Sequence, residues 1–165
     1  MVADMVKAVV FDIDGVLIDN SGRLNACLEE VGARSLGEIK GKKRKFWDCF
    51  LSSKYIYLDM PKVKYVNLAL EYASKGYKIL IITGRPKTME EDTIRQLSEL
   101  GLTSILDKII FRKPGDYSSE TKHKLEVIKK LIKTYDIEAV YEDSPDVVRA
   151  IAREIPTITI HSVCP

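Results

Sequence analysis

Apolar and polar positions along the chain follow two periods, and their alternation predicts the architecture. From Lys7 to Phe11 the sequence reads Lys-Ala-Val-Val-Phe, a short β-branched run that ends abruptly in Asp12-Ile13-Asp14-Gly15. Such a run is a buried strand that delivers acids to its C-terminal end. Pro61 opens a helical stripe of Val63, Val66, Leu70 and Ala73, which Gly76 closes. Tyr77 to Ile82 is the next strand, stopped by Thr83-Gly84-Arg85-Pro86. Met89, Thr93, Ile94, Leu97 and Leu100 then stripe a helix that ends at Gly101, and Asp107 to Phe111 is a third strand. After a loop from Arg112 to Glu120, rich in Pro, Gly, Asp and Ser, a helix carries Leu125, Ile128, Leu131, Ile132 and Tyr135 on one face. Ala139-Val140-Tyr141 is a fourth strand and runs into Glu142-Asp143-Ser144-Pro145-Asp146. There Ser144 as N-cap and Pro145 at the first helical position start a helix through Val147, Val148 and Ile151. Thr157 to Ile160 is the last strand.

Strands that alternate with amphipathic helices imply an α/β fold with a doubly wound, mostly parallel, Rossmann-like sheet. Ligands bind such sheets at the carboxyl ends of the strands, which is where the acids, the Thr-Gly pair and the Glu-Asp pair all fall. Residues 20 to 60 break the rhythm. They hold two candidate helices, around Leu24 to Val31 and around Leu36 to Leu51, and no strand of the central sheet. The segment reads as a small helical insertion after the first strand, a cap over the strand ends of a single domain spanning residues 1–165.

Composition narrows the function. The chain has 165 residues, 45% of them hydrophobic, which is enough for one domain with a real core. Its 26 Lys and Arg nearly balance its 24 Asp and Glu, for a net charge of +2, so no global field argues for nucleic acid or membrane. Cys27, Cys49 and Cys164 show neither CxxC nor Cys/His metal spacing and read as buried or incidental thiols in a reducing compartment. Apolar runs such as Ile79 to Ile82 are too short to span a bilayer, and Met1-Val2-Ala3-Asp4 lacks a signal-peptide layout. The expectation is a cytoplasmic protein.

Asp12 and Asp14 share a face of an extended chain because alternate side chains do. Two carboxylates this close repel unless a cation or a proton intervenes. Phosphate-monoester cleavage can use that arrangement, with one carboxylate as nucleophile, a magnesium ion between it and a phosphoryl oxygen, and the second carboxyl as acid and then base. Gly15 lets the chain turn sharply away. The Thr83 hydroxyl and the Gly84 N–H suit the equatorial oxygens of a transferring phosphoryl group. Lys124, Lys122 and Lys113 are candidates for the balancing cation. Glu142, Asp143 and Asp146 can complete an oxygen-ligand metal shell, although Asp146 alone also reads as an acid complementing a helix N-terminus.

The order of these pieces resembles the haloacid dehalogenase-like (HAD) superfamily from Lys7 to about Ile160. Asp12-Ile13-Asp14-Gly15-Val16 looks like its first motif, Ile81-Ile82-Thr83-Gly84-Arg85 its second, and Tyr141-Glu142-Asp143-Ser144-Pro145-Asp146 its acidic fourth. The resemblance implies that Asp12 is a nucleophile forming an aspartyl-phosphate and that Asp14 protonates the leaving alcohol before activating water. It implies Mg²⁺ held by Asp12, the backbone carbonyl of Asp14, and Asp143, with Glu142 or Asp146 assisting. Thr83, Gly84 and the third-motif lysine then bind phosphate, and Arg85 is an accessory residue. Dehalogenating members lack the second aspartate, so Asp14 argues for phosphate chemistry. Arg112 to Tyr117 followed by Lys124 to Ile128 is similar to the phosphatase branch that includes polynucleotide 3'-phosphatase domains, which selects Lys124 as the third-motif lysine. Lys113-Pro114 looks like the Lys-Pro of other branches and is the runner-up. Ser118-Ser119 stand where the polynucleotide branch often carries an arginine.

The expected activity is hydrolysis of phosphate monoesters on a small molecule, a nucleotide or a nucleic-acid 3'-phosphate end. A phosphotransferase or mutase shares the same intermediate. A receiver-like phospho-acceptor domain also clusters acids on a doubly wound sheet, but its acceptor ends the third strand, where this chain has Phe111-Arg112-Lys113. The run Lys40-Gly41-Lys42-Lys43-Arg44-Lys45 reads as a solvated helix face, with steering of an anionic substrate as the alternative. His123 and His161 lack metal-ligand spacing; at most His123 lines the site rim.

Overall fold

The alternation of side chains along the first strand decides which helices cover which face of the sheet. In the computed structural model, which describes residues 4–164, β1 (Val6–Phe11) sends Ala8 and Val10 to one side and Val9 and Phe11 to the other. β4 (Lys78–Pro86) does the same with Leu80 and Ile82 against Ile79 and Ile81. Ala8, Val10, Leu80 and Ile82 pack on α5 (Glu120–Leu131) and α6 (Pro145–Glu154). Val9, Phe11, Ile79 and Ile81 pack on α3 (Val63–Ser74) and α4 (Glu90–Glu99).

With β5 (Leu106–Arg112), β6 (Tyr135–Glu142) and β7 (Thr159–Ser162), the main sheet has five strands in the order β5-β4-β1-β6-β7, every pair parallel. This is the doubly wound α/β fold that the strand and helix rhythm predicts. Chain order reverses between β1 and β6, so the crevice of the fold opens where Asp12 and Glu142 leave their strands. Phe11, Tyr141 and His161 stack in a row across β1, β6 and β7, with ring centroids 4.9 and 4.4 Å apart. His161 is thus part of an aromatic row rather than of a metal site.

Residues 20 to 60 form α1 (Ser21–Glu30), a single turn at Leu36–Glu38 and α2 (Lys43–Phe50). A two-stranded ribbon, β2 (Ile18–Asp19) with β3 (Met60–Pro61), closes the segment at its base. The segment has its own core of Cys27, Leu28, Val31, Ala33, Ile39, Phe46 and Cys49.

Several boundaries differ from the periodicity. The second insertion helix starts at Lys43 rather than near Leu36, because Gly41 adopts a left-handed φ of 81° that ends the preceding turn. Pro61 lies in the ribbon and the helix begins at Val63. Tyr135 opens β6 instead of closing the preceding helix, its ring buried beside Ile137 in the same apolar cluster. The last strand begins at Thr159, since Pro156 and Thr157 are spent in a turn closed by Ile158 N–H on the Ile155 carbonyl. Ser144 holds the N-cap position and Pro145 the first helical one, but the Ser144 side chain makes no capping bond.

The cysteine reading is corrected. Cys27 and Cys49 form a disulfide that ties α1 to α2, and only Cys164 is a free, exposed thiol. Spacing could not reveal the bond, because helix packing brings the two residues together across 22 positions. No helix among the described residues is long and apolar enough to cross a membrane. Met1-Val2-Ala3, on which the reading of the N-terminus rests, lie outside the described residues.

Candidate active site

Asp12 follows the last residue of β1 and stays in the ladder through its N–H on the Tyr141 carbonyl, 3.1 Å away. Its carboxylate is 4% exposed; Oδ1 accepts the Ile13 N–H at 2.8 Å and Oδ2 lies 3.0 Å from the Lys124 ammonium. Lys124 sits in the first turns of α5, buried, and also pairs with Glu142 at 2.8 Å and Glu120 at 2.8 Å. Burial works against the Lys124 charge, yet attraction to Asp12, Glu142 and Glu120 wins and holds its pKa well above the ordinary value. One cation cannot serve three carboxylates equally. Burial, then repulsion from Glu142, holds the Asp12 carboxyl well above the usual range, and attraction to Lys124 offsets only part of this.

Asp143 adds a further negative charge. Ligand oxygens of Asp12, Glu142 and Asp143 all lie within 4.8 Å of one another. Burial raises the proton affinity of Glu142 and of Asp143 as well. Three converging carboxylates with surplus negative charge are an oxygen-only donor set that suits a hard divalent cation such as Mg²⁺. Gly15 is what admits Asp143 to the cluster: its φ is 84°, and a Cβ there would stand 2.0 Å from Asp143 Oδ2. Asp146 is exposed in the first turn of α6, pairs with Arg149 and is outside the cluster.

The Asp14 carboxylate turns away from these three. Arg85 grips it as a fork, Nε to Oδ2 at 3.0 Å and Nη2 to Oδ1 at 2.8 Å, and Arg23 donates a second Nη2 to Oδ1. Burial pushes Asp14 up, but the attraction and hydrogen bonds of Arg85 and then Arg23 outweigh it and hold the carboxyl below its ordinary value. Only the backbone carbonyl of Asp14 is left for the metal role that the HAD resemblance implies. Both guanidinium groups are fully buried, so they need a second counter-charge, and Asp59 supplies it. Asp59 accepts Arg23 Nε at 3.1 Å, Arg85 Nη2 at 3.3 Å and Gln96 Nε2 at 3.0 Å. Sequence reasoning missed Arg23 and Asp59. The signal was slight: an arginine one helical turn before Cys27, on the same face of α1 as that buried residue.

Thr83 lies in β4, fully buried, its Oγ1 accepting the Arg85 N–H at 3.1 Å. Gly84 opens onto a cleft of about 750 Å³. Asp12, Asp14 and Asp143 form its floor, Leu36, Trp47, Phe50 and Leu51 of the insertion form one wall, and the loop from Arg112 to Glu120 forms the other. His123 is buried behind that loop, its Nε2 3.3 Å from the Thr83 carbonyl and its Nδ1 3.7 Å from Asp116. Lys113 is exposed and makes no ion pair among the described residues, whereas Lys124 reaches Asp12. The basic run from Lys40 to Lys45 is exposed throughout and lies outside the cleft lining.

A parallel sheet with a buried carboxylate at its switch point, faced by a lysine and two further acids, matches the arrangement that the HAD resemblance implies. The sequence profile of the HAD superfamily's subfamily IIIB (acid phosphatase) matches residues 1–153, and the chain belongs to that family. No curated protein matches in sequence. Among solved structures, a chain of the Pnkp1/Rnl/Hen1 RNA repair complex superposes with a TM-score of 0.73 at 22% identity, over 97% of this chain and 43% of that one. This protein therefore spans less than half the length of that relative. A haloacid dehalogenase-like hydrolase from Streptococcus pneumoniae gives 0.67 at 18% identity, over 95% of this chain and 84% of that chain. A β-phosphoglucomutase-type protein from Thermotoga maritima gives 0.59 at 21% identity, over 95% and 85%. These likenesses show the shared fold.

Proposed function

We propose that the protein is a Mg²⁺-dependent phosphatase that cleaves phosphate monoesters by way of an aspartyl-phosphate on Asp12. The observation that carries the reading is the division of labour between the two aspartates: Asp12 faces Lys124 and the acidic trio, whereas Asp14 is held apart by two arginines. Asp12, Glu142 and Asp143, with the Asp14 carbonyl, would hold the metal, which would offset charge on the nucleophile and a phosphoryl oxygen. In the first step an Asp12 oxygen bonds to phosphorus, the ester P–O bond breaks, and the Asp14 proton goes to the departing oxygen. In the second, Asp14 takes a proton from water as its oxygen attacks phosphorus, and the P–Oδ bond to Asp12 breaks. Asp14 is ionised in the free protein; the field of a phosphate dianion binding beside it raises its proton affinity, and it takes from solvent the proton that it then gives to the leaving oxygen. Lys124 neutralises the nucleophile and the phosphoryl oxygens, while Gly84 N–H and Thr83 line the phosphate position.

We read residues 1–165 as one domain in which the 20–60 segment serves as a small cap, since its aromatic residues wall the cleft. The substrates proposed are phosphorylated small molecules, nucleotides and nucleic-acid 3'-phosphate ends. Transfer to an alcohol acceptor is the alternative outcome of the same intermediate. The location proposed is the cytoplasm; the Cys27–Cys49 bond stands against it, since disulfides persist mainly in oxidising compartments. The test is turnover of p-nitrophenyl phosphate: Asp12→Asn, Lys124→Ala and EDTA each abolish it, and Lys113→Ala leaves it intact. Activity surviving Asp12→Asn rules the mechanism out.

A further inference from the structure

Each buried arginine that grips Asp14 is anchored at its far side. Arg23 Nη1 donates to the Phe50 carbonyl at 2.9 Å, and its guanidinium lies 4.6 Å from the centre of the Phe50 ring. Arg85 Nη1 donates to Thr93 Oγ1 at 3.0 Å and Gln96 Oε1 at 2.9 Å. One carboxylate besides Asp14 joins the two: Asp59, which bonds Arg23 through Oδ1 and Arg85 through Oδ2. Asp59 has a fully buried side chain and does not line the cleft, so substrate does not reach it. It stands at the point where the 20–60 segment returns to the sheet, beside Met60, which pairs with Asp19 in the basal ribbon.

We propose that Asp59 is a positioning residue for the acid/base step, acting on Asp14 through the paired guanidinium groups of Arg23 and Arg85. Two buried cations need two counter-charges, and the quartet of Arg23, Arg85, Asp14 and Asp59 is neutral as a unit. Asp59 sets the separation and tilt of the two forks, and the forks set where the Asp14 oxygens stand relative to the leaving group. Without its charge Asp14 faces two buried cations alone, and its oxygens are drawn toward whichever arginine is freed. The returning end of the insertion thereby takes part in the chemistry as well as walling the cleft. The inference rests on the proposed role of Asp14 toward the leaving oxygen.

The test compares kcat/KM, which reports the steps up to loss of the leaving alcohol, on two substrates. p-Nitrophenyl phosphate releases a stable phenolate that needs little protonation, and glycerol 2-phosphate releases an alkoxide that needs it fully. Asp59→Asn should lower kcat/KM for glycerol phosphate at least ten-fold more than for the nitrophenyl ester, within the range that positioned proton transfer contributes, about 10²–10⁴. Asp59→Glu should recover part of the difference, and the Mg²⁺ concentration for half activation should move by less than about two-fold. If circular dichroism shows that Asp59→Asn does not fold, Gln96→Leu, which removes one bond to Asp59 and one to Arg85 and so loosens the same quartet, should give a smaller split of the same sign. Equal losses on both substrates, or a changed Mg²⁺ requirement, would overturn the role of Asp59. Asp12→Asn in parallel separates the failures: persistent turnover there sinks the phosphatase mechanism itself, whereas a dead Asp12→Asn with an unsplit Asp59→Asn sinks only the positioning role.

Discussion

Replacing Asp143 by asparagine should make the metal-free protein more stable while removing its response to Mg²⁺. The candidate ligand oxygens of Asp12, Glu142 and Asp143 lie within 4.8 Å of one another. Two unit charges about 4–5 Å apart at an effective dielectric near 20 repel by about 3–4 kcal/mol. Attraction to Lys124 and partial protonation of the cluster reduce this, which leaves a net gain of about 1–2 kcal/mol for the neutral, isosteric side chain. The pH dependence has a definite sign. All three carboxyls have raised proton affinities in the folded state, so the folded protein holds more protons than the unfolded chain. Metal-free stability from this cluster is therefore fully present below the ordinary carboxylate range, about pH 4, and is lost as pH rises through the folded values. Urea unfolding in EDTA and in Mg²⁺, at pH 5 and pH 7.5, is the assay. The variant should exceed the parent in EDTA, more so at pH 7.5. The parent should gain about 2.7 kcal/mol at 100 times the Mg²⁺ dissociation constant, and the variant almost nothing. A variant less stable than the parent in EDTA, or an equal gain from Mg²⁺ in both, would refute the electrostatic account.

Four further outcomes follow from local features. Gly15→Ala puts a Cβ 2.0 Å from Asp143 Oδ2, so activity should fall about 100-fold with a raised Mg²⁺ requirement. Gly101→Ala, with φ of 75° and nothing within 4 Å, should instead cost only the strain of about 1–2 kcal/mol, read by thermal melting with activity unchanged. Serine at Cys27 and Cys49 together should destabilise the protein by about 3 kcal/mol in urea, matching the effect of dithiothreitol on the parent. Burial holds the His123 proton affinity below its ordinary value despite the contact with the Thr83 carbonyl. Its contribution is present above about pH 6.5 and is lost below it, by up to about 1.4 kcal/mol per pH unit, as the unfolded chain takes up the proton. His123→Gln should flatten that slope in pH-dependent unfolding curves.

Asp12 and Asp14, the Thr83-Gly84 pair and the Glu142-Asp143 pair were legible because each lies at the carboxyl end of a buried apolar run, and a parallel sheet gathers such ends at one edge; β4 itself continues through Thr83-Gly84 to Pro86. Strand periodicity is local, and so is the abrupt change from apolar to acidic that marks the carboxyl end. The same local signal placed the other elements, with boundaries displaced where Gly41, Pro156 or the Tyr135 ring intervened. Other partners became visible only in three dimensions. The family resemblance already favoured Lys124 over Lys113, but what brings its ammonium to Asp12 is how α5 packs against β4 and β6. The bond between Cys27 and Cys49, and the neutral quartet of Arg23, Arg85, Asp14 and Asp59, join residues on separate elements. Sequence by itself determined the two-sided sheet and the acids at its edge, because burial period and turn chemistry are properties of neighbouring residues. Tertiary structure alone decided which cation faces which carboxylate, because ion pairing depends on distances of a few ångströms between segments that the chain keeps far apart.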